Sequence, residues 1–169
     1  MKTVFFDRDG VLNKELGRYV EHADEFEVNP WVIPFMKIMQ RNDYQFIIIT
    51  NQGGIDKGLY THNDLFDIHN KLNGILVKEN LYIKETYYCP HHPTKTQCLC
   101  RKPASLMVEK AVAKYGIDVA KSFLIGDKER DIEAAENVGV KGFLVPSDEY
   151  FNASQLVDLQ NLIGFPVVL

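Results

Sequence analysis

Three short apolar runs, widely separated along the sequence, constrain the fold of this chain more than any other feature. They are Val4–Phe6, Phe46–Ile49 and Phe123–Ile125, and each is a near-continuous stretch typical of a strand buried on both faces. Patterns typical of helices lie between them. Alternation of buried strands with helices predicts an α/β fold built on a parallel sheet.

Weaker patterns complete the predicted set of elements. Ile83–Tyr88 and Gly142–Val145 are further strand candidates. Thr61 followed by Asp64 resembles a capping box at the start of a helix. The expected helices span 31–41, 62–79, 104–115 and 129–138, with a final helix within 147–169.

Composition and charge exclude several classes of function. The 169 residues fit one domain, residues 1–169, and 46% hydrophobic with 25% charged residues is typical of a soluble globular protein. A net charge of -4 argues against a sequence-independent nucleic-acid binder. The N-terminal run MKTVFF is too short for a signal peptide, and no stretch approaches ~18 apolar residues. We expect a cytoplasmic monomer that binds neither nucleic acid nor a membrane.

Each of the three main apolar runs finishes in a polar residue, namely Asp7, Thr50 or Asp127. Ligands of open parallel sheets bind outside the carboxyl ends of the strands, so these side chains should converge there with Asp9 and Asp131. A single aspartate after a strand is more often a turn residue or a helix cap. Five polar residues at corresponding ends favour a site, and Mg²⁺ would relieve the repulsion between its carboxylates.

The spacing of Asp7 and Asp9 by two residues has a chemical meaning. On an extended chain this spacing places both carboxylates on the same side. One carboxylate could then attack a phosphorus atom while its neighbour handles the proton. Lys102 would add a compact positive charge that can pair with the nucleophile and with a phosphoryl oxygen.

All three cysteines of the chain lie in one segment, CPHHPTKTQCLC. Cys89, His91, Cys98 and Cys100 form a Cys-x-His and a Cys-x-Cys pair, a donor set typical of a closed, structural zinc site. His92 is the alternative imidazole ligand. Two other interpretations are three buried free cysteines and a zinc-ribbon nucleic-acid module, but such modules usually carry two CxxC knuckles and a basic face.

Four segments resemble, in order, the motifs of the haloacid dehalogenase (HAD) superfamily of phosphohydrolases: DRDGVLN from Asp7, Thr50-Asn51, Lys102, and GDKERD ending at Asp131. The resemblance implies a Rossmann-like, three-layer α/β/α core and an aspartyl-phosphate mechanism. It implies that Asp7 is the nucleophile and Asp9 the general acid and base. The other implied roles are phosphoryl binding by Thr50 and the amide of Asn51, support of nucleophile and phosphate by Lys102, and binding of Mg²⁺ by Asp7, the Asp9 carbonyl and Asp127, with Asp131 beside the ion.

The cysteine-rich loop runs directly into Arg101-Lys102-Pro103, and this combination narrows the resemblance to one branch of the superfamily. It is similar to the histidinol-phosphatase and heptose-bisphosphate-phosphatase branch, whose enzymes lack a large cap domain. Closure of the site would then come from loops 12–29 and 52–60 and from the zinc loop, residues 89–100. Zinc would position Arg101 and Lys102, and Arg101 is expected to contact a substrate phosphate or hydroxyl.

These resemblances lead to three expected functions. The first is a magnesium-dependent phosphatase that removes the 7-phosphate of a heptose 1,7-bisphosphate, as the segments GRYV at 17–20 and NQGGIDKG at 51–58 suggest. The second is a histidinol-phosphate phosphatase, since the zinc loop is close to that length. The third is a zinc-clipped binding protein without turnover, against which the intact pair of Asp7 and Asp9 argues.

Overall fold

Five parallel strands form the centre of the protein, described here from a computed structural model that covers residues 1–168. The strand order is β3-β2-β1-β4-β5, so the first strand lies in the middle of the sheet. The three main apolar runs are its three central strands. The strands are β1 Lys2–Phe6, β2 Tyr44–Asn51, β3 Ile83–Cys89, β4 Phe123–Gly126 and β5 Lys141–Leu144.

Successive side chains of the central strands fill two separate apolar layers. Val4 and Phe6 of β1 belong to one layer, whereas Phe5, between them, belongs to the other. The same alternation holds in β2, where Ile48 faces the first layer and Ile47 the second. Both faces of the sheet are therefore covered, which explains why these strands are apolar without interruption.

Within residues 1–168, six α-helices accompany the sheet, and the larger ones cover its two faces. The first apolar layer includes buried residues of α1, α3 and α6, and the second includes buried residues of α4 and α5. This confirms the predicted three-layer α/β/α fold. The helices are α1 Val32–Arg41, α2 Gly54–Lys57, α3 His62–Lys78, α4 Leu106–Tyr115, α5 Glu129–Glu136 and α6 Ala153–Ile163.

The structure differs from the predicted elements mainly at helix ends. Helix α4 begins at Leu106 rather than at 104, because the N–H of Ala104 closes a turn with the carbonyl of Arg101 at 2.9 Å. Helix α5 ends at Glu136, two residues early, and Gly139 follows with a φ of +81°. The segment 52–60, predicted to be a loop, contains the one-turn helix α2. The capping box of Thr61 and Asp64 at the start of α3 is confirmed.

The strand ends meet at one edge of the sheet, as predicted. Asp7 directly follows β1, and its N–H donates to the carbonyl of Ile125 in β4 at 2.9 Å. Thr50 lies near the end of β2, and Asp127 directly follows β4. Within residues 1–168, no helix is both long and apolar enough to cross a membrane.

Candidate active site

Three carboxylates and one lysine form the centre of the site. Asp7, Asp127 and Asp131 each offer an oxygen, and these oxygens lie within 4.8 Å of one another. Lys102 Nζ lies 2.8 Å from Asp7 Oδ1, 2.7 Å from Asp131 Oδ1 and 2.6 Å from the carbonyl oxygen of Ile49. Its side chain is only 1% exposed, so a buried ammonium joins the two carboxylates. The structure thus brings together four of the residues that the sequence selected.

The electrostatics of this cluster favour a bound cation. Burial raises the pKa of Asp7 to about 7, and the neighbouring carboxylate of Asp131 adds to the rise, although Lys102 opposes it. Burial alone would lower the pKa of Lys102, but Asp7 and Asp131 hold it above its ordinary value, so the lysine stays charged. Oxygen ligands this close together fit the requirements of Mg²⁺, which would favour the ionised form of Asp7.

Two glycines allow the backbone to approach these carboxylates. Gly10 has a φ of +81°, and a Cβ atom there would lie 2.5 Å from Asp127 Oδ2. A Cβ atom on Gly126 would lie 2.3 Å from the Cβ of Asp131. The carboxylates of Asp127 and Asp131 therefore need glycine at positions 10 and 126.

Asp9 is not one of the three grouped carboxylates, and three side chains hold it in place. The buried guanidinium of Arg8 donates to it from Nε at 3.0 Å and from one terminal nitrogen at 2.7 and 2.9 Å. Asn13 and Gln52 donate to it at 3.1 and 2.9 Å. Burial alone would raise the pKa of Asp9, but the charge and hydrogen bonds of Arg8 lower it overall. This environment favours a carboxylate, which suits a general base.

The two residues at the end of β2 have different partners. Thr50 Oγ1 accepts a hydrogen bond from Gln52 Nε2 at 2.8 Å. The side chain of Asn51 instead brackets the backbone of Lys102, because its Oδ1 accepts from the Lys102 N–H at 3.0 Å and its Nδ2 donates to the Lys102 carbonyl at 3.1 Å. Lys102 belongs to no helix or strand, so this bracket fixes its position. The sequence did not predict that function of the Asn51 side chain.

The cysteine-rich segment forms a compact cluster of donor atoms. The sulfurs of Cys89 and Cys100 lie 3.1 Å apart, and those of Cys89 and Cys98 lie 3.6 Å apart. These distances are too long for a disulfide, and the three cysteines are free. His91 Nδ1 lies 3.4 Å from Cys100 Sγ and 3.6 Å from Cys89 Sγ. His92 faces elsewhere, with its Nδ1 against Thr94 Oγ1 at 2.8 Å.

The chemistry of this donor set fits a zinc ion. Burial raises the pKa of the Cys89 thiol, so that it needs a cation to ionise. Burial alone would also raise the pKa of Cys98, but hydrogen bonds from the N–H groups of Arg101 and Cys100 lower it to about 7. Three thiols and one imidazole within 4.8 Å of one another are compatible with a four-coordinate structural site.

The cysteine cluster is tied to the loops around the active site. The N–H of Gln52 donates to the carbonyl of Cys89 at 2.7 Å, and the N–H of His92 donates to Asp56 in α2 at 2.8 Å. Arg101 donates to the carbonyl of His91 at 3.0 Å. The cluster therefore connects β3, the segment that contains α2, and the residue before Lys102.

Arginines surround the mouth of the site. A cavity of about 270 Å³ is lined by Asp9, Arg18 and Arg130, and a second of about 600 Å³ by Arg101, Lys102 and Arg130. Arg130, which the sequence did not single out, borders both. A larger cavity of about 900 Å³ lies at the opposite edge of the sheet, by β1 and α6, and contains none of the predicted site residues. We assign the chemistry to the carboxylate edge, because the reactive groups lie there.

Comparison with known proteins identifies the family. A profile for HAD-hydrolase-like proteins matches residues 99–160, which include Lys102 and Asp127. The D-glycero-alpha-D-manno-heptose-1,7-bisphosphate 7-phosphatase of Photorhabdus laumondii is 38% identical over 152 residues, covering 86% of this chain and 82% of that enzyme. The chain belongs to the heptose-1,7-bisphosphate 7-phosphatase family. As a member of this family it is a phosphatase of the HAD superfamily, as the sequence motifs predicted.

Two other heptose-bisphosphate phosphatases show the same relationship. The D-glycero-beta-D-manno-heptose-1,7-bisphosphate 7-phosphatase of Haemophilus ducreyi is 36% identical, covering 83% of this chain and 80% of that one. The crystal structure of D,D-heptose 1,7-bisphosphate phosphatase from B. bronchiseptica, complexed with magnesium and phosphate, is 32% identical with a TM-score of 0.80. The match covers 85% of this chain and 80% of that structure. The fold and family predicted from the motifs are thereby confirmed.

Proposed function

We propose that this protein is a magnesium-dependent phosphomonoesterase that removes the 7-phosphate from D-glycero-D-manno-heptose 1,7-bisphosphate. The observation that carries the proposal is the buried Lys102, paired with Asp7 and Asp131 at the carboxyl edge of the sheet, in a chain of this family. Relatives named for this reaction match most of the chain. The bound magnesium and phosphate of the B. bronchiseptica enzyme support the same chemistry here.

In the proposed first step, an oxygen of Asp7 attacks the phosphorus atom, and the bond to the sugar oxygen breaks. Lys102 stays protonated next to Asp7 and can neutralise charge on a phosphoryl oxygen. Thr50 and the amide of Asn51 would bind the other phosphoryl oxygens. Mg²⁺, held by Asp7, the Asp9 carbonyl and Asp127 with Asp131 beside it, would supply positive charge to the phosphoryl group.

Asp9 handles protons in both steps of this proposal. The leaving sugar oxygen takes a proton from Asp9, and Asp9 then accepts one from the water that attacks the phosphoaspartate. The second attack breaks the bond between phosphorus and Asp7, which restores the enzyme. Arg8 favours the ionised form of Asp9 in the free enzyme, so the proton for the first step must be taken up as the phosphate dianion approaches.

The mouth of the site supports a substrate with two phosphates. Arg18, Arg101 and Arg130 line the cavities next to the reacting groups, although Arg18 is also paired with Glu25 at 2.6 Å. Planar guanidinium groups suit bidentate contacts with phosphate. We therefore assign the non-reacting phosphate to this arginine-lined mouth.

In this proposal, zinc has a structural function. It would be bound by Cys89, His91, Cys98 and Cys100, a set with no open position for a substrate or a reactive water. The ion would hold the loop that carries Arg101 and Lys102. The predictions of a single domain, a monomer and a cytoplasmic location stay predictions.

The direct test is phosphate release in the presence of Mg²⁺ from both anomers of heptose 1,7-bisphosphate, from histidinol phosphate and from common sugar phosphates. We expect at least ~100-fold higher kcat/KM for a heptose bisphosphate, which corresponds to about 2.7 kcal/mol of transition-state discrimination. A comparable preference for histidinol phosphate would contradict the substrate assignment but keep the mechanism. Full activity of Asp7→Asn would contradict the covalent mechanism.

A further inference from the structure

A short chain of hydrogen bonds, two of them buried, connects the two halves of the proposed phosphate site. The hydroxyl of Tyr60 donates to Gln52 Oε1 at 2.6 Å. Gln52 Nε2 in turn donates to Asp9 Oδ2 at 2.9 Å and to Thr50 Oγ1 at 2.8 Å. Gln52 and Tyr60 are both buried. One amide group therefore contacts both the proposed acid–base residue and the proposed phosphate ligand.

The directions of these hydrogen bonds follow from the groups involved. The ionised carboxylate of Asp9 can only accept, so the nitrogen of the Gln52 amide must face it. The Gln52 oxygen then faces Tyr60, whose hydroxyl proton satisfies it. Because Thr50 Oγ1 accepts from Gln52, its own proton is free to point elsewhere. In the proposed mechanism, that proton is donated to the phosphoryl group that Thr50 binds.

Packing around Tyr60 leaves little freedom for this arrangement. The ring lies against Gly54, where an added Cβ atom would come within 2.2 Å of Tyr60 Cε1. Tyr60 is also only 4% exposed, so no bulk water replaces its contact with Gln52. A glycine at position 54 is therefore required for the ring to reach this position.

We propose that Gln52 and Tyr60 are positioning residues for phosphoryl transfer. Gln52 holds Asp9 and Thr50 in one arrangement and makes Thr50 a hydrogen-bond donor toward the phosphoryl group. Tyr60 orients the Gln52 amide and polarises it, since hydrogen bonds in a chain strengthen one another. This inference rests on the proposed phosphatase function of the same site, but it does not depend on which sugar is the substrate.

Tyr60→Phe is the primary test, because it removes a single oxygen atom. We expect kcat to fall about five- to tenfold, in line with the loss of one buried hydrogen bond, while KM changes less than about twofold. The matched control is Tyr115→Phe, which removes a hydroxyl that donates to Glu85 at 2.6 Å in another part of the protein. The control should keep the kcat of the wild type.

A double-mutant cycle tests whether Tyr60 acts through Gln52. Wild type, Tyr60→Phe, Gln52→Met and the double variant are compared with an aryl phosphate as substrate, and thermal melting confirms folding. We expect Tyr60→Phe to lower kcat less than about twofold in the Gln52→Met background. The inference is overturned if Tyr60→Phe lowers kcat equally in the Gln52→Met background, if Tyr60→Phe is fully active, or if its defect is confined to KM.

Affinity for orthovanadate in Mg²⁺, a probe that takes the five-coordinate geometry of the transferring phosphoryl group, separates this inference from the proposed function when measured by calorimetry on the same proteins. Tyr60→Phe should weaken vanadate binding severalfold, and only when Gln52 is present, because the expected loss is in kcat rather than in KM. If the wild type hydrolyses an aryl phosphate but no heptose bisphosphate, the substrate proposal fails and the cycle still decides the inference. If Gln52→Met does not fold, the comparison of kcat between Tyr60→Phe and Tyr115→Phe decides the inference.

Discussion

Replacement of Asp7 by asparagine is expected to stabilise the magnesium-free protein at neutral pH, although it removes the proposed nucleophile. Burial raises the pKa of this carboxyl to about 7, so the folded protein favours its neutral form. Asparagine has nearly the same shape and is always neutral. The variant should therefore avoid the cost of holding an anion between Asp131 and the protein interior.

The sign and size of the effect follow from the pKa. The unfolded chain releases the Asp7 proton near pH 3.8, whereas the folded protein retains it to about pH 7. The free energy of unfolding of the wild type thus contains a contribution that is complete below pH 3.8 and is lost as the pH rises to about 7. At 1.36 kcal/mol per pKa unit, the loss is at most about 4 kcal/mol.

The assay is urea or thermal unfolding of both proteins between pH 4.5 and 8, in buffer without Mg²⁺ and with zinc retained. The variant should exceed the wild type only slightly near pH 4.5 and by up to about 8–16 °C in Tm at pH 7.5. Added Mg²⁺ should narrow the difference by stabilising the ionised wild type. Asp67→Asn, at an exposed position of α3, is the control for an ordinary aspartate.

Two results would refute this reasoning. One is a variant no more stable than the wild type at pH 7.5. The other is a stability difference that stays the same from pH 4.5 to 8, because an effect of packing alone does not depend on protonation. Either result would mean that Lys102 keeps Asp7 ionised in the folded protein without a metal ion.

Three further predictions concern the surroundings of the site. Cys100→Ser should release zinc, speed hydrogen exchange in residues 89–103 and lower kcat; an active protein without zinc, by elemental analysis, would contradict the structural function. Burial lowers the pKa of His69 to about 4, so the wild type should lose up to about 3 kcal/mol of stability as the pH falls from 6.5 to 4. His69→Gln should lose less stability over that pH range, as measured by urea unfolding. Identical profiles of stability against pH for the two proteins would contradict this effect of His69. Arg130→Gln should raise the KM for heptose bisphosphate about fivefold and leave the KM for an aryl phosphate unchanged. Arg41→Gln is the control; if both variants have the same KM for heptose bisphosphate, Arg130 does not bind the substrate.

The parts of the fold that were predictable are those with strong local patterns. The central strands are buried on both faces, so their apolar runs identify them and place Asp7, Thr50 and Asp127 at one edge. Helix α2 was missed because tertiary hydrogen bonds hold it, such as that from the Asp56 N–H to the Pro90 carbonyl at 3.2 Å. Four residues carry too little periodicity to predict a helix.

The unpredicted parts of the site depend on contacts between distant residues. Arg8 lies between two aspartates in the sequence, and nothing local indicates that its guanidinium is fully buried against Asp9. The bracket of Asn51 on Lys102 joins residues 51 positions apart. Arg130 borders the site because helix α5 begins at its mouth. Single-sequence patterns identify reactive residue types but not the side chains that orient them.

The position of Asp7 and Asp127 after central strands has a consequence for how this enzyme could acquire new substrates. These two carboxylates follow β1 and β4 inside the protein, whereas Arg18 lies in the segment after β1, Arg101 directly after the cysteine loop and Arg130 at the start of α5. Replacement of those arginine side chains would alter recognition while the bond-breaking apparatus is inherited unchanged. Evolution and protein engineering can therefore vary selectivity here separately from reactivity.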